Sequence, residues 1–197
     1  MRYETWELSP SSRKARKRLE EAGLPSLLCA VLASRGALTL QQARALLRPK
    51  DQPMHPPELF ADMDRARKRL EQARQAGERT AVYGDYDVDG ITSTCLLTDF
   101  LRGWGLDVLS YIPDRMEEGY GLNREAAAHL KDQGVSLIVT VDCGITAVDE
   151  VEFARELGMD VVVTDHHECK QRIPQAAAVV DPCRADCPYP FSGLAGV

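Results

Sequence analysis

The stretch Val82-Tyr83-Gly84-Asp85-Tyr86-Asp87-Val88-Asp89-Gly90 decides how this chain is read. Apolar residues lead into three carboxylates on alternate positions, and a glycine then precedes the run Ile91 to Leu97, which reads as a helix. The pattern is strand, acidic turn, helix. Along an extended backbone alternate positions share one side, with neighbours about 6.5–7 Å apart at Cα, so Asp85, Asp87 and Asp89 are expected to reach a common point. Like charges held that close raise at least one carboxylate pKa unless a cation intervenes, and the grouping makes physical sense around a divalent metal. The plainer reading is an acidic turn that caps the next helix, for which one aspartate suffices.

Outward from this stretch, short apolar runs alternate with helical segments, the signature of a parallel sheet with crossover helices. Strands are expected at Thr80 to Gly84, Asp107 to Ile112, Ser136 to Val141, Asp160 to Thr164 and Ala177 to Val180. Helices are expected between them at Ile91 to Gly103, Arg124 to Gln133 and Ala147 to Leu157. Leu59, Met63, Ala66 and Leu70 recur at helical spacing ahead of the first strand, in a helix that starts at Pro57 or Asp62 and ends at Gly77. Residues up to Lys50 read as helical, with Ser11 or Ser12, Pro25 and Thr39 as starts. Pro49, Pro53, Pro56 and Pro57 then break the pattern. The expected architecture is α/β: a five-stranded parallel Rossmann-like sheet flanked by helices in residues 57–197, preceded by a small helical lead and linker in residues 1–56.

Composition bounds the function. A chain of 197 residues that is 44% hydrophobic buries a real core, and no apolar run approaches the roughly 20 residues of a membrane span. The N-terminus lacks a charged-then-apolar leader pattern, which points to a cytoplasmic protein with no membrane partner. The six cysteines are scattered as reduced thiols are, not as a disulfide framework is. The net charge of −6 conceals an asymmetry: Met1 to Lys50 carries ten basic and four acidic residues, whereas the remainder is strongly acidic. Much of that negative charge sits where cations are expected, so it does not exclude a phosphodiester substrate. The basic run Arg13 to Arg18 reads as a solvated helix face ahead of a phosphate contact.

Three expected strands end in chemically matched residues: Asp85, Asp87 and Asp89 after the first, Asp142-Cys143-Gly144 after another, and Asp165-His166-His167-Glu168 after a third. In open α/β sheets these ends form the ligand-binding edge. Carboxylates and imidazoles without committed thiolates suit Mn²⁺ or Mg²⁺ better than a structural zinc. Two such ions about 3.5–4 Å apart would need a bridging carboxylate and would activate water for attack on phosphorus. A lone histidine is usually structural, but two adjacent ones after a strand-end aspartate reverse that balance. Cys143 reads as a small buried thiol, and the C-x₃-C pair Cys183 and Cys187 lacks the further ligands of a zinc site.

Asp87-Val88-Asp89-Gly90, Asp142-Cys143-Gly144 and above all Asp165-His166-His167 resemble the motifs of the DHH phosphoesterase superfamily. Ile112-Pro113-Asp114-Arg115, Glu118-Gly119-Tyr120-Gly121-Leu122 and Cys187-Pro188-Tyr189-Pro190-Phe191 extend the resemblance to its single-strand-specific 5′-to-3′ DNA exonucleases. The resemblance implies that Asp87, Asp89, Asp142 and His166 ligate Mn²⁺ or Mg²⁺, with Asp142 as bridge and Asp85 beside the first ion. It implies that His167 contacts the scissile phosphate, and that Arg115 and Tyr120 bind substrate near a 5′ end. The implied reaction is stepwise hydrolysis of single-stranded DNA to 5′-mononucleotides in repair and recombination, alongside a single-strand-binding protein or a helicase. The alternatives are a superfamily member acting on short oligonucleotides or cyclic dinucleotides, and a catalytically silent module that binds DNA or a partner. In the superfamily a further metal-ligating aspartate and a second domain follow the segment matched by Leu194 to Val197, so the chain is expected to be the N-terminal piece of a longer protein and poorly active alone.

Overall fold

The structure is a computed structural model and describes residues 12–51, 53–119 and 121–197. The chain divides into two compact units, Met1–Met54 and His55–Val197.

In the first unit, α1 (Arg13–Glu21), α2 (Ser26–Ser34) and α3 (Leu40–Leu47) surround Leu19, Cys29, Leu32, Ala37 and Ala43. Ser12 caps α1 by accepting from the Ala15 N–H, and Thr39 with Gln42 closes a capping box on α3. Arg13, Lys14, Arg16, Lys17 and Arg18 are exposed along α1, and Arg16 is engaged with Glu20 and Ser26.

The second unit is a parallel sheet of β1 (Arg79–Tyr83), β2 (Asp107–Tyr111), β3 (Leu137–Val141), β4 (Asp160–Thr164) and β5 (Ala178–Val180), in the order β2-β1-β3-β4-β5. The period of two sends Ala81, Tyr83, Ile138, Val161, Val163 and Val179 to one face, where α6 (Arg124–Asp132) and α7 (Val148–Glu156) supply Ala127, Leu130 and Val151. It sends Val82, Leu137, Val139, Val141, Val162 and Val180 to the other face, beneath α4 (Met63–Ala76) and α5 (Val88–Gly103). Strands covered on both faces are predominantly apolar, and β3 accordingly reads Leu-Ile-Val-Thr-Val, with Thr140 its one polar side chain. Over the middle of the second face α4 and α5 stand apart, leaving an apolar cleft of about 580 Å³.

Strand order reverses between β1 and β3, because α5 carries the chain from β1 to β2 on one side and the later strands build on the other. The crevice beyond the C-terminal ends of β1 and β3 is therefore the switch point at which such sheets bind ligands. Register sharpens this placement. Tyr83 pairs with Thr140, Val141 with Thr164, and Thr164 with Val180. Counting onward from those pairs, Asp85, Asp142, Asp165 and Asp181 stand in one row across four adjacent strand ends.

The opposite edge of the sheet is charge-balanced. Arg69, on α4, reaches Glu78 and Asp160, each at 2.6 Å, and Ser136 donates to Glu78 at 3.1 Å. Leu130 is fully buried whereas Leu27 is 79% exposed, so the two test the core directly. Leu130→Ala is expected to cost about 2–5 kcal/mol in urea denaturation, and Leu27→Ala at most about 0.5 kcal/mol. Equal effects would mean that the core is wrongly located.

Candidate metal centre

The acidic turn is built differently from the extended ladder expected of it. β1 stops at Tyr83, Asp87 is the N-cap of α5, and Asp89 lies in the first helical turn. The helix thus begins at Val88, three residues before Ile91, because Asp87 accepts from the Gly90 N–H at 3.0 Å and ends the extended run. That hydrogen bond outweighs burial, which acts the other way, and holds the Asp87 carboxyl below its usual range. Period-two alternation consequently does not align the three aspartates. The turn closes because position 90 has no side chain: a Cβ there would lie 2.6 Å from the Asp85 N atom.

Two of the three carboxylates converge nonetheless, with Asp89 outside both donor groups. Ligand atoms of Asp85, Asp87 and Asp142 all lie within 4.8 Å of one another, as do those of Asp142, His166 and His167. Asp142 belongs to both groups. It is 2% exposed and follows β3 with φ at 58°, a left-handed conformation that aspartate tolerates better than most residues. His166 Nε2 lies 2.9 Å from Asp142 Oδ1 and 3.6 Å from Asp89 Oδ2, so the histidine joins the two carboxylates. Burial and the neighbouring Asp89 carboxylate push Asp142 up to about 6. Asp85 is buried as well, and its Oδ1 has no hydrogen-bond partner among the described residues.

Two aspartates that the sequence reading left without a role support this centre. Asp165, 7% exposed, accepts from the Ile145 N–H through Oδ2. Its Oδ1 accepts from the backbone N–H groups of His166 and His167 and lies 2.7 Å from His167 Nδ1. Burial opposes charge on the His167 ring, but the Asp165 contact prevails and raises its pKa. Asp181 is fully buried, with Oδ1 accepting from the Cys183 N–H and Oδ2 unpartnered among the described residues, and burial pushes it up to about 6. The signal for both lay in the sequence: each is the residue immediately after a strand. Cys183 Sγ donates to the His166 carbonyl at 3.2 Å, and Cys143 is buried.

Arg115 is not part of the cluster. It is exposed, with its guanidinium 5.0 Å above the ring of Tyr86, which places it beside the acidic turn. Its loop is fastened by Glu118, which accepts from Tyr111, Asn123 and the Asp114 N–H. Tyr120 lies outside the described residues.

A sheet that gathers acidic and imidazole donors at its switch point defines an α/β domain whose strand ends could hold a metal ion. Residues 79–197 match the DHH family, N-terminal domain, and the chain belongs to that family. The single-stranded-DNA-specific exonuclease RecJ of Bacillus subtilis is 42% identical over 193 residues, covering 98% of this chain and 25% of that protein. A crystal structure of exonuclease RecJ bound to manganese superposes with a TM-score of 0.61 at 39% identity, over 68% of this chain and 34% of the other. RecJ from Thermus thermophilus in complex with Mn²⁺ does so with a TM-score of 0.65 at 29% identity, over 91% and 25%. The chain spans 25–30% of the length of the first curated relatives. No helix among the described residues is long and apolar enough to cross a membrane.

The raised Asp142 pKa gives the metal-free chain a defined pH response. Its folded value of about 6 exceeds the reference of 3.8, so its contribution to stability is fully present below 3.8 and is lost as pH rises through 6. Asp142→Asn, which cannot ionise, should gain in melting temperature relative to the parent as pH rises from about 4 to about 7.5. A difference independent of pH would contradict the burial and repulsion assigned to Asp142.

Proposed function

We propose that this chain is the metal-binding part of a single-strand-specific DNA exonuclease that releases 5′-mononucleotides stepwise from a 5′ end, in repair and recombination. The observation that carries the reading is the sharing of Asp142 between two donor groups at the sheet's switch point. The names of the relatives agree with it.

The donor set fits Mn²⁺ or Mg²⁺, being oxygen and imidazole nitrogen without thiolate. The unpartnered Asp85 Oδ1 and the elevated Asp142 carboxyl are what such a centre looks like before its charge is balanced. Asp87, Asp89, Asp142 and His166 would hold the ions, with Asp142 shared and Asp85 beside the first. When bound, the ions supply a water nucleophile at neutral pH and polarise the phosphodiester. His167, braced by Asp165, donates to a phosphate oxygen and stabilises the charge that develops there. Arg115 offers a two-pronged contact to a phosphate near the 5′ end, and Tyr120 assists it. Residues 57–197 form the phosphoesterase module and residues 1–56 a helical lead. The reading places the chain in the cytoplasm with its DNA, beside a single-strand-binding protein or a helicase.

A chimera tests this by replacing the matched quarter of the Bacillus protein with the present chain. With Mn²⁺ it should digest long 5′-labelled single strands to mononucleotides, and Asp142→Ala should abolish both digestion and metal binding. His167→Ala should keep most metal affinity while lowering kcat by about 10²–10³. Cleavage confined to very short oligonucleotides would overturn the substrate assignment. Parallel loss of affinity and rate in His167→Ala would overturn its separate role.

A further inference from the structure

The segment Leu194-Ala195-Gly196-Val197 lies across the carboxylate cluster. The Gly196 N–H donates to Asp89 Oδ2 at 2.7 Å and the Val197 N–H to Asp89 Oδ1 at 2.8 Å, so consecutive peptide groups grip both oxygens of one carboxylate. Leu194, Ala195 and Gly196 line a cavity of about 190 Å³ together with Asp165 and His166. The same glycine abuts the residue shared by the two donor groups: a Cβ at position 196 would lie 2.8 Å from both Cβ and Oδ1 of Asp142 and 3.0 Å from its Cγ. Gly196 is not in the left-handed region of backbone space, so its own backbone conformation accepts any residue. What requires glycine there is Asp142.

We infer that Gly196 and Val197 form a positioning strap that sets the spacing of Asp89 and Asp142. The inference rests on the metal-centre reading above and adds an element to it. Two charge-assisted N–H bonds fix the orientation of the Asp89 carboxylate, which at 24% side-chain exposure would otherwise swing toward solvent. The bare Cα of Gly196 lets the strap approach closely while leaving Asp142 undisplaced. Each carboxylate oxygen retains a further lone pair, so the strap orients Asp89 without consuming its capacity as a ligand. A side chain at 196 must push either the strap off Asp89 or Asp142 out of the shared position. Both outcomes spoil the same pair.

The test uses the whole chain and has two arms. In the first, Mn²⁺ affinity is measured by paramagnetic resonance for the parent, Gly196→Ala and Gly193→Ala. The atoms nearest a Cβ at position 193 belong to the ring of Phe191, at 3.0 Å and beyond, and not to the carboxylate cluster, which makes Gly193 the control. Gly196→Ala should weaken binding by about tenfold or more, as expected for losing charge-assisted bonds, with Gly193→Ala within about twofold of the parent. The second arm needs no metal: the amide proton signals of Gly196 and Val197 should shift when Asp89 is replaced by alanine, while the signal of Gly193 stays in place. Unmoved Gly196 and Val197 amides, or unchanged affinity in Gly196→Ala, would overturn the strap. If the parent binds no Mn²⁺ while those amides respond to Asp89→Ala, the strap stands and the metal reading falls.

Discussion

The structure depends on an electrostatic imbalance held at one edge of its sheet. Asp85, Asp142, Asp165 and Asp181 are buried in a single row, and among the described residues no lysine or arginine pairs with any of them. At the opposite edge Arg69 satisfies two carboxylates at once, so the fold is able to balance charge where balance is the aim. Burial and the neighbouring Asp89 carboxylate favour the protonated form of Asp142, burial does the same for Asp181, and this costs stability. A divalent cation removes that cost, and the imbalance is then a way of storing affinity for it.

The cost stays tolerable because the backbone shares the load. The N-terminal turn of α5 meets Asp87 through the Gly90 N–H, the Ile145 N–H meets Asp165, and consecutive N–H groups meet Asp89. The positive end of the α5 dipole faces the same acidic turn. The unusual φ of Asp142 is tolerated at the position that both donor groups share, which is where strain of this kind tends to collect.

Much of this was legible in the sequence. Predominantly apolar runs such as Leu137 to Val141 and Val161 to Val163 mark strands buried on both faces, and their boundaries fall within a residue of those expected. The convergence of residues after separate strands was legible because the chemistry repeats. The conformation of the acidic turn was not, since an aspartate before Val-Asp-Gly suits both an extended alternation and a helix cap. The hydrogen bond from Gly90 decides between them. Asp165 was legible within the Asp-His-His run but without a role of its own, and Asp181 was missed although it directly follows an expected strand, because what sets it beside the other aspartates is strand order, which packing between distant segments decides. The approach of Gly196 to Asp142 was illegible for the same reason: contacts between segments far apart in the chain leave no local pattern.

The central claim is that Asp142 is the shared point of a divalent metal centre. The most direct measurement is an anomalous difference map from crystals of this chain soaked in Mn²⁺ and recorded at the manganese edge. The account predicts a peak bonded directly to the Asp142 carboxylate, between the side chains of Asp87 and His166. A map with no peak at Asp142, or with manganese held only by exposed acidic residues elsewhere, would contradict it.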